Sequence, residues 1–422
     1  MPLTRRQLLA SLAAMGASAA ISPARGDDGE SFWDIVNRKA LLKSADVDRN
    51  TAEALGIIDT PEPILSYDTE YNIELAIQYY QKIVDQGGWE APTRRWFNLA
   101  LGKDDGTSIA HLKRRLVQVG DMPPADRVNG TFDSATDLGL RKFQVRHGII
   151  PTGKVDEPTF NALLVTAEQR LAQLKLNSQR VQTMAGALVD SARYVAVNIP
   201  AASIEAIEGG IVAQRHTAVV GRIERPSPIL DAKITQVNFN PYWHVPKSLI
   251  EKDLITYMNN DPEYLTKFKI HIYDGKGNEI QPTEIDWSTN DAVNYSFRQD
   301  PGAENSLGHC RINFPNKYDV YLHDTPSKSL FAENARFHSS GCVRVEGVDE
   351  LATWLLGPNG GWDLAAVDAV FNSNEQLNVN IKTPTPIHTT YVTAWANKQG
   401  TVSFRDDVYN FDSQGLVDTH TA

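Results

Sequence analysis

The sequence predicts an α+β protein built from several domains, and three observations support this. The chain has 422 residues, enough for two or three domains of ordinary size. Up to about residue 190, apolar residues recur at the three- and four-residue spacing of helices that pack through one face. After Arg193 the period changes to alternation in short runs separated by Gly and Pro, which is typical of strands. A β-rich domain is therefore expected at about 192–396, after a helical part.

Composition narrows the class of protein. Hydrophobic residues make up 41% and charged residues 22% of the chain, as in ordinary globular proteins. The net charge of −11 gives no overall attraction to nucleic acid, so a nucleic-acid partner is not expected. After the first 26 residues no apolar run approaches the roughly 20 residues of a membrane-spanning helix.

Residues 1–26 have the pattern of an export signal. Arg5 and Arg6 precede a small apolar run from Ala10 to Ile21, and Ser22-Pro23-Ala24 resembles a cleavage site. The paired arginines before Leu8-Leu9 favour the twin-arginine route, and a Sec signal that begins with Arg-Arg is the alternative. The mature protein is expected to be exported.

Two helical segments predict a scaffold at 27–107 and 166–191. In the first, apolar residues share one helical face: Ile73, Ala76, Ile77, Tyr80 and Ile83. In the second, from Leu171 to Val189, the same register is kept.

Between them lies a distinct insert at 108–165. It contains Phe143-Gln144, then His147-Gly148, then Gly153-Lys154-Val155-Asp156 and Thr159. This arrangement resembles a three-helix peptidoglycan-binding domain. Asp156 or Thr159 is expected to cap the last helix, over a small core of Leu140, Phe143 and Leu163. A purely structural insert without a ligand is the alternative.

Two further segments accompany the predicted strands. A polar helical stretch, Leu249 to Asn260, interrupts the strand rhythm within 246–297, where it would form a lid over the sheet or a surface decoration. The residues from 397 to 422 are expected to form a C-terminal tail, with an edge strand and a surface turn around it.

The residues that can carry out chemistry lie in two segments, one at the end of a predicted strand and one in the loop before the next strand. Tyr321-Leu322-His323 leads into a turn, and Ser339-Ser340-Gly341 presents Cys342 ahead of Val343-Arg344. A nearby imidazolium lowers the pKa of a thiol and makes it a usable nucleophile. Amides around Gly341 and Cys342 would stabilise an oxyanion, and Arg344 would hold a substrate carboxylate.

The two cysteines also permit other roles. A bridge between Cys310 and Cys342 is compatible with export, but the surroundings of Cys342 favour a nucleophile and Cys310 is expected to be a buried strand residue. His338 and Cys342 are four residues apart, as metal ligands on a helix are, yet Ser-Ser-Gly is a poor helix interior. No metal is therefore predicted.

Taken together, these residues resemble the L,D-transpeptidases with a YkuD-type catalytic domain. The resemblance rests on His323, the 19-residue interval to Cys342 and the run Ser339-Ser340-Gly341-Cys342-Val343-Arg344. Further segments resemble the large Gram-negative branch with a scaffold domain, a peptidoglycan-binding insert and a capping subdomain: 240–246, 298–302, 307–308, 314–317 and 321–331. Ser340 stands where the wider family has His, as is usual in the large branch.

The resemblance implies a role for each site residue. Cys342 would be the nucleophile, His323 the general base, and the amides of Gly341 and Cys342 part of the oxyanion hole. Arg344, Ser339 and Ser340 would line the site, and Trp243 and Tyr321 would form walls for the donor stem.

It also implies a periplasmic reaction on peptidoglycan. The thiolate attacks a tetrapeptide stem after its third residue, D-Ala leaves, and an amine of a neighbouring stem resolves the thioester into a 3→3 cross-link. No cofactor is implied. The acceptor stays open among another stem, a D-amino acid and a lipoprotein. Two alternatives remain: an L,D-carboxypeptidase or wall-amide hydrolase on the same fold, and a wall-binding protein without activity.

Overall fold

The computed structural model describes residues 48–124, 128–189 and 192–418. The expected export signal at 1–26 and the part of the scaffold before residue 48 lie outside these ranges. Across the described ranges, no helix is both long and apolar enough to cross a bilayer.

Within the described ranges, six α-helices precede the sheet. They are α1 (Arg49–Leu55), α2 (Tyr67–Asp85), α3 (Gly106–Gln118), α4 (Ser134–Arg146), α5 (Glu157–Leu164) and α6 (Ala167–Val189). Helices α2 and α6 pack together as the scaffold, with Ile73 and Tyr80 in their shared core. This confirms the prediction from helical spacing.

The insert is a three-helix unit in which an aspartate caps every helix. Asp105, Asp133 and Asp156 accept hydrogen bonds from the amides at the third helical position of α3, α4 and α5. Each such cap satisfies a backbone donor that the helix itself leaves free. The predicted core is confirmed, since Leu140, Phe143 and Leu163 are buried in one cluster.

A buried ion pair joins the insert to the end of the chain. Arg146 donates to both carboxylate oxygens of Asp121 at 2.7 Å and to the Val402 carbonyl at 2.9 Å. Arg405 in turn donates to the Arg146 carbonyl at 2.9 Å. The insert is therefore held against the C-terminal segment through charge-assisted hydrogen bonds.

The main sheet closes on itself. Its strands are β1 (Arg193–Asn198), β2 (Ser203–Glu208), β3 (Ile211–Gly221), β4 (Leu230–Phe239), β9 (Cys310–Asn313), β10 (Leu322–His323), β11 (Phe337–Ser339), β12 (Val343–Val345) and β13 (Leu377–Thr390). Their order is β11-β3-β12-β10-β9-β4-β13-β1-β2, and β2 also pairs with β3. That last pairing completes a closed ring, which removes a free sheet edge.

The sheet buries both of its faces along β1. Val195 and Val197 point into the main core, whereas Tyr194 and Ala196 point into the core shared with the scaffold helices. The alternation predicted at 194–199 is thus confirmed, but the two faces serve two different cores. Helices α10 (Val348–Leu356) and α11 (Leu364–Ser373) cover the main core from the other side.

A separate capping subdomain follows β4. It contains a four-stranded sheet made of β5 (Trp243–His244), β6 (Ile270–Tyr273), β7 (Glu279–Ile280) and β8 (Ser296–Gln299). Its helical part comprises α7 (Lys247–Leu249), a π-helical turn at Ile250–Leu254, α8 (Ile255–Asn260) and α9 (Tyr264–Lys267). It has its own buried core around Ile250, Leu254 and Phe297. The subdomain extends a few residues beyond the expected 246–297 at both ends. Its first strand, β5, pairs with its last strand, β8, so both belong to it.

The C-terminal segment forms the expected strand and exposed turn, the turn lying at 397–400, but the residues around them are buried more deeply than expected. β14 (Ala394–Ala396) and β15 (Val402–Phe404) form a hairpin, and Phe404 is fully buried in the core of the scaffold. Tyr409 lies in the main core. Aromatic residues within a polar segment gave no periodic pattern from which this burial could be predicted.

Candidate active site

Two adjacent parallel strands bring the predicted catalytic residues together. Leu322 of β10 lies opposite Val343 of β12, and His323 lies opposite Arg344. Leu322 and Val343 point into the main core. Because side chains alternate along a strand, His323 and Arg344 point to the opposite face, as does Cys342 one residue before β12. Residues 19 apart in sequence thereby share one face of the sheet.

The loop before Cys342 is held by its own serine. Ser339 donates to the Cys342 carbonyl at 2.5 Å and accepts from the Gly341 amide at 3.1 Å. Gly341 has φ +114°, a conformation that side chains rarely adopt. Ser227 fixes the loop from outside by donating to the Gly341 carbonyl at 2.8 Å. The Gly341 amide, the Gly341 carbonyl and the Cys342 carbonyl are therefore all hydrogen-bonded within or beside the turn that presents Cys342.

This geometry corrects two expectations. The Gly341 amide is already engaged by the Ser339 hydroxyl, so in this state it does not point at an incoming oxyanion. Ser339 is 2% exposed and its hydroxyl is used within the loop, so it supports the loop and does not line the site. Both departures arise because a tight turn satisfies its own backbone groups first.

His323 is held in one tautomer. Its Nδ1 lies 2.5 Å from the Asp324 carbonyl oxygen, which can only accept a hydrogen bond. The proton is therefore on Nδ1, and Nε2 is left as the basic atom. Burial and the positive charge of Arg344 lower the pKa of His323 to about 3, so its ring is neutral at physiological pH.

The thiol of Cys342 is also neutral at rest. Burial raises its pKa above the usual value, although hydrogen bonds from the backbone and hydroxyl group of Tyr321 and the charges of Arg311 and Arg344 oppose this shift. The expected imidazolium that lowers the pKa of the thiol is therefore absent, because both groups are desolvated. The pair consists of a thiol and a neutral imidazole.

Tyr321 links the thiol to the capping subdomain. Its hydroxyl lies near both the Cys342 thiol and the side chain of Trp243, which begins β5, and burial together with the neighbouring Cys342 raises the pKa of Tyr321. Its ring lies 5.6 Å from the His323 ring in an edge-on arrangement. Tyr321 and Trp243 thus both lie near Cys342.

Arg311 belongs to the same face and was not predicted from the sequence. It lies on β9 directly opposite His323, and its guanidinium carbon is 4.2 Å from the centre of the Tyr321 ring. Its charge acts on both Cys342 and His323. Arg311 lies in no motif, and only the alternation Cys310-Arg311-Ile312-Asn313 could have indicated that it faces away from the core.

Ser340 connects the loop to the capping subdomain. Arg225 donates to the Ser340 hydroxyl at 3.0 Å and forms a two-pronged ion pair with Asp253 at 2.5 and 2.9 Å. Asp253 lies in the π-helical turn of the capping subdomain. Ser340 is exposed, as a residue lining an open site should be. The neighbouring His338 pairs with Glu333 at 2.8 Å outside the site.

The second cysteine takes no part in this arrangement. Cys310 is free and fully buried on β9, and burial raises its pKa well above the usual range. The prediction of a buried strand residue is confirmed. Cys342 is free as well, so the two do not form a disulfide.

Comparison with known families matches two parts of the chain. Residues 192–400 match the family described as "L,D-transpeptidase catalytic domain", the YkuD type. Residues 105–163 match the family described as "Putative peptidoglycan binding domain".

Individual relatives are similar over part of the chain. A curated protein of Haemophilus influenzae, named "Putative L,D-transpeptidase", is 35% identical over 243 residues, which are 57% of this chain and 48% of that protein. The match thus spans about half of that relative's length. A solved L,D-transpeptidase from Mycobacterium smegmatis is 14% identical, with 47% of this chain and 58% of that chain covered and a TM-score of 0.24. One from Xylanimonas cellulosilytica is 13% identical, with 71% and 100% covered and a TM-score of 0.22.

Proposed function

We propose that this chain, which belongs to the YkuD-type L,D-transpeptidases through its residues 192–400, forms 3→3 cross-links in peptidoglycan by cysteine-dependent acyl transfer. One observation supports this most strongly. Cys342 and His323 share a face on neighbouring parallel strands, and the Asp324 carbonyl occupies Nδ1 of His323 so that Nε2 is free as a base. A thiol beside an oriented imidazole is the arrangement that nucleophilic acyl transfer needs.

The acylation step follows from the neutral pair. As the Cys342 sulfur attacks the carbonyl of the third stem residue, Nε2 of His323 takes the thiol proton. The tetrahedral intermediate collapses when His323 returns that proton to the leaving amine of D-Ala, and a thioester remains on Cys342. Because both groups start uncharged, proton transfer accompanies attack and no resting ion pair has to be broken.

The negative charge on the oxygen of the tetrahedral intermediate needs hydrogen-bond donors close to the sulfur. The Cys342 amide is the proposed oxyanion donor, with the Gly341 amide contributing only if the Ser339 hydroxyl gives it up. The hydroxyl of Tyr321 stabilises the developing thiolate when the thioester is formed and broken.

The remaining parts of the chain receive corresponding roles. We assign residues 27–107 and 166–191 to the scaffold, 108–165 to a peptidoglycan-binding insert, 192–396 to catalysis with a cap at about 246–297, and 397–422 to a C-terminal segment. A peptidoglycan substrate places the enzyme outside the cytoplasm, and residues 1–26 are proposed to direct export to the periplasm through a twin-arginine-like or Sec signal.

The acceptor is proposed to be the side-chain amine of a second stem. A D-amino acid or a lipoprotein amine would resolve the same thioester, because each supplies only a nucleophilic nitrogen. Residues that line the path to Cys342 would bind the stems: Trp243, Tyr321, Ser340 and Arg344.

The test is mass spectrometry of protein and products after incubation with purified disaccharide-tetrapeptide. Loss of D-Ala, an acyl adduct that disappears in Cys342→Ala, and a cross-linked dimer are expected. Free tripeptide without dimer would establish a carboxypeptidase instead. An unchanged substrate would contradict catalysis and favour the wall-binding alternative.

A further inference from the structure

The proposed oxyanion donor belongs to a peptide group whose other end is held by a buried side chain. The Gly341 carbonyl and the Cys342 amide are the two ends of one trans peptide. Because a trans peptide is planar, its C=O and N–H point in opposite directions. Ser227, which is 3% exposed, donates to the Gly341 carbonyl at 2.8 Å. The hydroxyl of Ser227 therefore sets the direction in which the Cys342 amide points.

The Cys342 amide is available for a ligand. Across residues 48–124, 128–189 and 192–418, it donates to no backbone or side-chain group. The amides on either side of it are both engaged, since Gly341 donates to the Ser339 hydroxyl and Val343 donates to the Tyr321 carbonyl, each at 3.1 Å. A free amide beside a nucleophile is the kind of donor that a tetrahedral intermediate needs.

The peptide between Gly341 and Cys342 depends on an anchor, because glycine does not restrain it. Gly341 has φ +114°, and glycine reaches this region and several others at similar cost. A rotation of the peptide plane would redirect the Cys342 amide with little movement of the Cα atoms. A hydrogen bond to the buried carbonyl opposes this rotation, since the carbonyl would otherwise lose its partner.

Ser227 is itself fixed in orientation. Its hydroxyl accepts from the Gly221 amide at 2.9 Å, so its one proton is left for the Gly341 carbonyl. The Ser227 amide donates to the Tyr409 hydroxyl at 3.1 Å, and that hydroxyl donates to the Gly221 carbonyl at 2.6 Å. Tyr409 is buried as well. Its hydroxyl thus closes the turn that carries Ser227.

This turn, residues 221–227, contacts the Cys342 loop at two points. Besides the bond from Ser227, the Arg222 amide donates to the Ser339 carbonyl at 3.0 Å. The turn is tight, because a Cβ on Gly221 would lie 2.4 Å from the Ser227 amide nitrogen. Tyr409 lies beyond the residues 192–400 that match the catalytic family. The C-terminal segment therefore supports the loop through the turn.

We propose that Ser227 and Tyr409 are positioning residues that orient the Cys342 amide as the oxyanion donor. The inference rests on the proposed function. In that reaction the sulfur–carbon bond forms while the carbonyl electron pair moves to oxygen, and the pair returns as the carbon–nitrogen bond breaks. The thiol proton passes through His323 to the leaving amine. Ser227 and Tyr409 exchange no proton with the substrate and act only through the direction of one N–H group.

Two reagents that modify the same thiol by different routes test this inference. 4-Nitrophenyl acetate acylates Cys342 through a tetrahedral oxyanion, whereas iodoacetamide alkylates it by displacement at a saturated carbon, without an oxyanion. Both rates are followed on the full chain against pH, with Cys342→Ala as the background. In Ser227→Ala, acylation should slow about 10-fold, because the amide is misdirected but not removed. Alkylation should keep its rate and its pH profile.

A second variant and a control keep the result interpretable. Tyr409→Phe retains the Ser227 hydroxyl but releases the turn, so acylation should slow about 3-fold with alkylation unchanged. Tyr194→Phe also removes a buried hydroxyl that donates to a backbone carbonyl, that of Leu65 at 3.1 Å, and should change neither rate. If Ser227→Ala does not fold, Tyr409→Phe decides by the same ratio. Equal slowing of acylation and alkylation, or acylation at the wild-type rate, would overturn the inference.

The tetrapeptide donor separates this inference from the proposed function. A wild-type protein that reacts with 4-nitrophenyl acetate but not with disaccharide-tetrapeptide would contradict the proposed function. The ratio of acylation to alkylation in Ser227→Ala would still decide the role of Ser227. With the tetrapeptide, Ser227→Ala should lower kcat about 10-fold at unchanged KM, because the oxyanion forms only during reaction. A change confined to KM would refute the inference.

Discussion

The Tyr321 carbonyl accepts a hydrogen bond from the Val343 amide at 3.1 Å. Val343 faces the core and Tyr321 is next to the core-facing Leu322, and each partner is within two residues of His323 or Cys342. The bond fixes the register in which the base and the nucleophile meet. Reactivity therefore depends on strand pairing as well as on the side chains themselves.

The first prediction concerns the two cysteines. Iodoacetamide should label Cys342 alone in the folded protein, because Cys310 is fully buried. The labelling rate should rise with pH only above the range of an ordinary thiol, since burial raises the pKa of Cys342. Cys310→Ala should leave the profile unchanged and Cys342→Ala should remove labelling. Labelling that is already maximal at pH 7 would show a resting thiolate instead.

The second prediction concerns the hydroxyl of Tyr321. Tyr321→Phe removes the hydroxyl that opposes the upward shift of the Cys342 pKa, so we expect the pKa of the thiol to rise further and acylation to slow about 10-fold. The matched control is Tyr318→Phe, because Tyr318 is exposed on the surface. Alkylation rate against pH measures the shift. Equal rates in the two variants would show that the Tyr321 ring, and not its hydroxyl, is what matters.

The third prediction concerns Gly341. A Cβ at this position would be 3.5 Å from the nearest atom, the Pro226 carbonyl oxygen, so Gly341→Ala is strained by its φ of +114° and not by collision. Such strain costs about 1–3 kcal/mol. The loop should relax by moving Cys342, and acylation should fall more than thermal stability. Gly275→Ala, in an open turn with ordinary φ, is the control and should change neither property. Full activity in Gly341→Ala would mean that the loop tolerates another conformation.

The fourth prediction concerns the ion pair between Arg225 and Asp253. Asp253→Asn weakens the bidentate contact that joins the capping subdomain to the Ser340 loop. Amides at 250–260 should then exchange hydrogen about 10-fold faster. Asp261→Asn breaks an exposed pair with Lys267 in the same subdomain and should have little effect. Unchanged exchange in Asp253→Asn would show that apolar packing alone holds the cap.

The fifth prediction concerns stability in acid. Burial lowers the pKa of His216 to about 4 and that of His323 to about 3, both from 6.5. Below pH 6.5 the unfolded chain binds protons that the folded chain does not bind. Each group should therefore remove about 1.4 kcal/mol of stability per pH unit as the pH falls towards its folded pKa. Denaturant unfolding between pH 7 and 4 measures this.

Variants assign the acid effect to particular groups. His216→Gln should flatten the dependence by the share of one group, whereas His338→Gln, at an exposed position, should leave it unchanged. A stability that is constant from pH 7 to 4 would contradict the neutral state of both buried rings.

Much of the site was predictable because its chemistry is local in sequence. His323 ends one strand and Cys342 directly precedes another. The 19-residue interval between them and the residues around each indicate their positions. Arg311 was missed because a single arginine in a strand carries no pattern, and only pairing with His323 reveals its place. The use of the Gly341 amide by Ser339 was also missed, since hydrogen-bond competition inside a turn depends on its conformation.

The fold, too, has parts that follow from a local sequence pattern and parts that do not. The periodicity of apolar residues alone predicted α2, α6 and β1, because the apolar residues in each recur at a regular spacing. The closure of β2 onto β3 and the burial of Phe404 depend on contacts between distant segments, which leave no local pattern. A change of elements near 246–297 could be predicted because a polar helical stretch interrupts the strand alternation there.

The C-terminal segment sets the order in which the site can be completed during synthesis. The Tyr409 hydroxyl donates to the Gly221 carbonyl at 2.6 Å and accepts from the Ser227 amide at 3.1 Å, and Ser227 in turn holds the Gly341 carbonyl. The ribosome therefore delivers the support for the Cys342 loop after Cys342 itself. A nascent chain that has extruded the thiol but not residue 409 lacks this support, so the fully supported loop forms only once translation has passed that residue.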